Sequence, residues 1–373
     1  MTTTKSVPFF NYPRAYLDDR EAILKIVDDV GSRGAFIMQK DLRDFETALA
    51  AFTGARHAVG VANATDGLEL AWMAVGLRPG DEVICCSHTM LATASAIKTA
   101  GGTPVPVELG EDGLIDPDAV ADAVNPRTVG IMPTQLNGRT CDMHRIMDIA
   151  QKHNLFVVED AAQALGSRFK GQHAGTFGQA AAISFFPAKV LGSLGDGGGV
   201  ITNDSYIYDR VYQLHDHGRD TEGEVRSWGR NSRLDNLQAA ILNHNLKSYD
   251  KVIARRRAIA TLYQKRLGDL TELQLPPAPD ANPDHFDIYQ NYELQADGRD
   301  NLKEHLRING IGTLIQWGGK AVHQWERLGF TLKLPKVERF FERCIMLPMN
   351  MFISDDDVNY VCDQVISYYR VER

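Results

Sequence analysis

The chain is sparing with cysteine, with positive charge and with long apolar runs. Its five cysteines, Cys85, Cys86, Cys141, Cys344 and Cys362, are an odd number with no C-x-x-C pair, which argues against a disulfide framework or a structural zinc site. No apolar run approaches the ~18 residues needed to cross a bilayer. The opening MTTTKSVPFFNYPR has neither the apolar stretch of a secretory leader nor the pattern of a transit peptide. A cytoplasmic protein with no membrane partner is expected. Basic side chains number 40 against 48 acidic ones, a net charge of −8, so the average surface repels a nucleic-acid backbone and no nucleic acid is expected as partner. What is present is the composition of an ordinary folded protein: 373 residues, 44% hydrophobic and 24% charged, which excludes a disordered or low-complexity chain.

The order of the apolar runs predicts an α/β architecture. Ile23, Ile26, Val27 and Val30 share one face of a helix over 18–30. From residue 57, short apolar runs at 57–62, 82–86, 104–109, 129–133 and 156–159 alternate with helical patterns such as Met143, Ile146, Met147 and Ala150. Such alternation implies right-handed crossovers and a mostly parallel sheet covered on both faces. Two closely spaced runs, 181–186 and 199–202, read as strands near the sheet's edge. One long helix is expected over 234–267, with the basic run 255–257 on a solvated face. The prolines of 276–283 mark a linker. Beyond it the pattern predicts a strand at 287–294, a helix at 301–309, a strand near 313–317 and a last helix opened by Ser354 and Asp357 in capping-box spacing. A large α/β domain over 1–245 and a smaller α+β domain over 246–373 are expected, without internal repeats.

Four stations on the larger part carry candidate chemistry. In Asn63-Ala-Thr-Asp-Gly67 a strand stops and a helix starts. Free N–H groups at a helix N-terminus, with the Thr65 hydroxyl beside them, suit a phosphate; the plain alternative is an ordinary helix cap. In Phe156-Val-Val-Glu-Asp160 an acid ends a buried strand, where open α/β sheets place ligands. A carboxylate buried there needs a cation opposite it, unless Asp160 merely caps the next helix. In Ser184-Phe-Phe-Pro-Ala-Lys189 a lysine stands between an apolar strand and a run of glycines. Held in such surroundings its ammonium pKa falls and it becomes an amine nucleophile; otherwise it is a solvated loop lysine. The glycines lead into a strand rather than a helix, which disfavours a nicotinamide site and hence a sugar dehydrogenase. In Gly229-Arg-Asn231-Ser-Arg233 arginines precede an amphipathic helix and suit bidentate contact with phosphate or carboxylate, or simply salt-bridge the helix start. Taken together, a phosphate cradle, a strand-end carboxylate and an amine nucleophile are the parts that pyridoxal 5'-phosphate requires.

In this order NATDG, EDAAQALGS, SFFPAKVLGSLGDGGG and GRNSRLDNLQAAIL resemble the signatures of the DegT/DnrJ/EryC1/StrS sugar aminotransferases, over nearly the whole chain. The resemblance implies a fold-type I, pyridoxal-phosphate-dependent enzyme of the aspartate aminotransferase fold that acts on nucleotide-linked keto-sugars. It implies Lys189 as the Schiff-base lysine holding the cofactor as an internal aldimine, and Asp160 against the pyridine nitrogen. Gln163 would stand beside the ring hydroxyl, with Thr65, Asp66 and Ser184 at the phosphate. Asn231 would reach the cofactor phosphate of a partner subunit, which implies a homodimer with shared active sites. Lysine at 189, where a related group of sugar dehydratases has histidine, favours transamination.

Two departures from the family pattern bear on specificity. Many relatives cover the cofactor ring with an aromatic residue where this chain has Met90, so Met90 or His88 is expected to cover it. Gln316-Trp317 stands where relatives that aminate C-3 of a nucleotide-linked uronic acid have a His-Tyr pair. These two, with Arg233 and His323, are the candidate substrate residues. The lysine motif is closer to the C-3 branch. The expected reaction is therefore transfer from glutamate to the C-3 ketone of a nucleotide-linked sugar. C-4 amination of a 4-keto-6-deoxysugar, and a non-catalytic regulator that binds cofactor or sugar nucleotide, are the alternatives. His215 and His217 flank Asp216 without further ligands and read as a polar helix end, so no metal is expected. Trp228 either lines the cleft or packs an interface.

Overall fold

The computed structural model describes residues 5–371, so the first four residues of the opening segment lie outside the described residues. The strands are, in chain order, β1 (His57–Val61), β2 (Glu82–Cys86), β3 (Thr103–Val107), β4 (Thr128–Met132), β5 (Phe156–Asp160), β6 (Arg168–Phe169) and β7 (Gln172–His173). Then come β8 (Ala180–Ser184), β9 (Gly198–Thr202), β10 (Leu273–Gln274), β11 (His285–Phe286), β12 (Tyr292–Ala296) and β13 (Cys344–Leu347). Seven of them form the main sheet in the order β1-β9-β8-β5-β4-β2-β3. Its pairs are parallel from β8 to β3, and β9 alone runs against the rest. Helices Ala64–Ala74, Leu91–Thr99, Pro117–Ala123 and Met143–His153 come after the first four strands, as the alternation predicts. Pro104 and Pro106, which lack an N–H, fall on the edge strand β3, where the loss is tolerated.

The two strands expected near the sheet's edge lie there, just inside the outermost strand. β9 is second and β8 third, with β1 outermost. Small residues explain the position, because helix Ala64–Ala74 rests directly on them. A Cβ on Gly67 would meet Val200 at 3.1 Å and Ala182 at 3.2 Å. A second sheet, β10-β12-β13, packs with helices Tyr249–Leu267 and Asp355–Val371 around Tyr263, Tyr292 and Val361, and Val7 joins this core from the chain's start.

Several expected elements change. The helix near 18–30 runs as Arg20–Arg33 after a shorter one, Tyr12–Asp18. The long helix over 234–267 divides into Asn236–Leu246 and Tyr249–Leu267, because i→i+3 bonds at Lys247 and Ser248 close the first. The strand near 287–294 starts later, as β12. No strand forms near 313–317: Leu314 makes a single bridge to Met346, and Trp317 and Gly318 turn to φ 49° and 71°. Helices Lys40–Thr53 and Pro335–Arg343 add to the expected set. The capping box closes as predicted, with Ser354 N donating to Asp357 Oδ2 and Asp357 N to Ser354 Oγ, both at 3.1 Å. All five cysteines are free and buried. Among the described residues no helix is long and apolar enough to cross a membrane, and no cluster of metal-ligating side chains occurs.

Candidate active site

The carboxyl ends of β2, β4, β5 and β8 and the first turn of helix Ala64–Ala74 enclose a cavity of about 710 Å³, where open parallel sheets place ligands. Thr65, Asp66, Met90, Asp160, Gln163, Ser184, Lys189, Gln316 and Trp317 all line it. A cleft of about 880 Å³ meets it at Lys189, Gln290 and Asn291.

Lys189 stands on a loop that its own residues fold tightly. Its N–H donates to Phe186 O at 2.8 Å, and Ser193 N and Oγ each donate to Phe185 O at 2.8 Å. A Cβ on Gly192 would lie 2.8 Å from Pro187 O. Gln290 then clamps the loop on both sides of the lysine. Its Nε2 donates to Ala188 O and its Oε1 accepts from Val190 N, both at 2.9 Å. Arg256 holds this clamp from behind, with Nε on Tyr289 O at 2.7 Å and Nη2 on Gln290 O at 2.5 Å. The basic run is therefore not a solvated face: Arg256 is buried, and Arg257 lies 4.2 Å over the Phe286 ring and donates to Asp287 O. Burial lowers the Lys189 ammonium to about 8, with the charge of Asp160 opposing the shift. An amine so placed is available as a nucleophile.

Asp160 ends β5 with one oxygen on the Thr93 hydroxyl (2.7 Å) and the other on Ala162 N (3.1 Å). Thr93 is itself tied through Thr89 to Thr134, at 2.6 and 2.9 Å. Burial raises the Asp160 carboxyl above its usual range, while Thr93, Ala162 and Lys189 pull the other way. The donor set is thus incomplete for a buried carboxylate, and a cation or N–H in the cavity would complete it.

The opposite end of the cavity is a helix start. Asn63 Oδ1 accepts from Asp66 N at 2.8 Å, and β9 comes so close that a Cβ on Gly198 would sit 2.4 Å from the Asn63 carbonyl carbon. Close approach, not dinucleotide binding, explains the glycine run. Helix geometry leaves the N–H groups of Ala64 and Thr65 without intrahelical acceptors, beside the Thr65 hydroxyl. Asp66 lines the cavity, but its N–H serves the cap and its Oδ2 accepts from Ser232 Oγ at 2.8 Å. Ser184 completes this wall.

The remaining expected residues divide. His88 does not face the cavity: it is buried, with its Nδ1 2.7 Å from Gly113 O and its ring 4.3 Å from Phe340 and 5.7 Å from Trp317. Met90, by contrast, is half exposed and lines the cavity wall. His323 is also buried outside the cavity, 2.7 Å from Ser87 Oγ and 3.2 Å from Glu338 Oε1. Arg233 is spent on Asp216 at 2.9 Å. Asn231 is exposed and outside its own chain's cavity, on a segment tied to helix Ala64–Ala74 by Arg230–Glu69 and Ser232–Asp66. Gln290 and Arg256 escaped sequence reasoning, since both act on a loop far away in the chain.

The model of the DegT/DnrJ/EryC1/StrS aminotransferase family matches residues 17–366. This chain belongs to that family. Among its curated relatives is the dTDP-3-amino-3,4,6-trideoxy-alpha-D-glucose transaminase of Streptomyces venezuelae, 36% identical with 97% of this chain and 96% of the relative covered. The pleiotropic regulatory protein of Geobacillus stearothermophilus is 34% identical, over 98% and 99% of the two chains. The solved structure of S. venezuelae DesV in complex with a ketimine intermediate matches with a TM-score of 0.94 and 36% identity, covering 98% of this chain and 99% of that one. This aminotransferase therefore shares the fold of that solved structure over nearly its whole length.

Proposed function

We propose that this aminotransferase holds pyridoxal 5'-phosphate at Lys189 and moves an amino group from glutamate to the C-3 ketone of a nucleotide-linked deoxysugar. The observation that carries the reading is one cavity with three matched features: an amine of lowered pKa, a buried carboxylate short of donors, and an open helix N-terminus. These residues fit the cofactor's aldehyde, ring nitrogen and phosphate in turn. When bound, the cofactor supplies an electron sink for the carbanion at the amino-bearing carbon. Asp160 keeps a proton on the ring nitrogen. Lys189 Nζ would carry a proton to and from the substrate carbon. Thr65, Ser184 and the first helix N–H groups hold the phosphate, and Met90 covers the ring.

The exposed Asn231 and the 96% exposed Trp228 support a homodimer in which each chain completes the other's site. The part over 246–373 contributes Gln290, Gln316 and Trp317 to a cavity floored by 1–245, and a division there belongs to the same reading. Free, buried thiols accord with the cytoplasm. C-3 is preferred because the S. venezuelae relative bears that position in its name. A regulatory role, suggested by the name of the Geobacillus relative, gives no reason for a clamped lysine.

The test is release of 2-oxoglutarate from glutamate by the cofactor-loaded protein, alone and with dTDP- or UDP-linked 3-keto and 4-keto sugars. Stoichiometric release without sugar and turnover with a 3-keto sugar are expected. Turnover confined to 4-keto sugars would overturn the C-3 assignment, and no release at all would overturn transamination.

A further inference from the structure

His88, outside the cavity, closes a chain of buried and half-buried polar groups that ends at Gln163. Gln163 Oε1 accepts from the backbone N–H of Asn137 at 2.9 Å and from Asn291 Nδ2 at 3.4 Å. A backbone N–H can only donate, so the amide oxygen points inward and the NH₂ is left for the cavity. Asn137 stands at φ 55°, a conformation its surroundings must hold. Its side chain does so: Nδ2 donates to Glu293 Oε2 at 2.7 Å, and Oδ1 accepts from Asn291 Nδ2 at 2.9 Å and Gln316 Nε2 at 3.1 Å. Glu293 is buried, and the same Oε2 lies 3.3 Å from His88 Nε2. His88 Nδ1 carries a proton, since it faces the Gly113 carbonyl. Its Nε2 is thus the ring nitrogen turned to the Glu293 carboxylate. Burial works against charge on Glu293, yet His88, Gln316 and Asn137 outweigh it and hold the carboxyl below its ordinary value.

We infer that His88, Glu293 and Asn137 are positioning residues that lock the Gln163 amide with its NH₂ toward the ring hydroxyl of the bound cofactor. The inference rests on the proposal that Lys189 holds pyridoxal 5'-phosphate. Gln316, expected to touch substrate, is drawn largely into this relay. Glu111, Asp112, Arg139 and Asp287 line a separate small pocket together with the His88–Glu293 pair, Cys344 faces Glu293 from β13, and Asp66, Asp160 and Asp196 line the cavity with Lys189. All of these stay unchanged in the variants that test the relay.

The test is the pH titration of the holoenzyme's visible band, which reports the proton on the lysine nitrogen joined to the cofactor. A donor on the ring oxygen weakens the hold on that proton. Glu293→Gln keeps the shape but removes the negative charge that holds Asn137 Nδ2 and His88 Nε2 to one oxygen. Asn137→Gly keeps the N–H and tolerates the positive φ, so it loses the relay without strain. Each, like Gln163→Leu, is expected to raise the midpoint by about one pH unit. The double variant Glu293→Gln/Asn137→Gly should shift no further than either single one. A wild-type midpoint in Glu293→Gln beside a shifted Gln163→Leu, or additive shifts, would overturn the relay. A wild-type protein that acquires no visible band overturns the cofactor reading itself, so the two failures are told apart.

Discussion

Two carboxylates stand side by side at the end of β5 and face opposite sides of the sheet. Glu159 is fully served: its Oε2 accepts from Gly175 N and Gln135 Nε2 at 2.7 Å, and its Oε1 from Phe177 N and Gly178 N at 2.8 and 2.9 Å. Asp160, one residue on, has one hydroxyl and one N–H. Burial raises both carboxyls above their usual range. Equal burial with unequal satisfaction separates an acid that folds a loop from one that awaits a ligand. Adjacent residues of the same strand thus belong to different tasks, because a strand turns successive side chains to opposite faces.

The contrast can be broken by exchanging the two roles. Asp160→Asn should lower transamination about 10³-fold, the scale of a lost proton-holding group, while the melting temperature of the cofactor-free protein holds or rises. Glu159→Ala should do the reverse. It strands four donors, which costs about 3 kcal/mol measured by denaturant unfolding, and the surviving folded protein should still bind cofactor. Unfolding at equal cost in both variants would erase the distinction.

Two smaller effects sharpen it on the cavity side. Lys189 has a folded pKa of about 8 against the ordinary 10.5, so between these values the folded chain binds fewer protons than the unfolded one, and its stability rises with pH. Below that window the cost of the buried ammonium is fully present. Lys189→Met should therefore stabilise the cofactor-free protein by ~2 kcal/mol at neutral pH, discounting for partial exposure, and the gain should fade as pH approaches the ordinary lysine range. Calorimetry across pH checks it. Gln290→Met should loosen the Lys189 loop and weaken cofactor binding about tenfold by fluorescence titration, with little change in overall stability.

Much of the cavity's floor was legible in the sequence. Lys189, Asp160 and Thr65 each sit at a junction between a strand and the next element, and the runs that make β1 to β5 are short and apolar. The features that were not legible depend on distance in the chain. Gln290 and Arg256 gain meaning only when β12 and helix Tyr249–Leu267 are laid beside the Lys189 loop. His88 read as a ring cover because nothing local announces the turn at Trp317, φ 49°, that seals it away. Helix Lys40–Thr53 did have a local signal, in Leu42, Phe45 and Leu49 on one buried face.

The most direct measurement is the peptide mass map of the protein loaded with pyridoxal 5'-phosphate and reduced with borohydride. One reduced cofactor on the peptide that contains Lys189, absent from Lys189→Ala, is the predicted result. A label on another lysine, or none on a protein that remains folded, would contradict the assignment of the cavity.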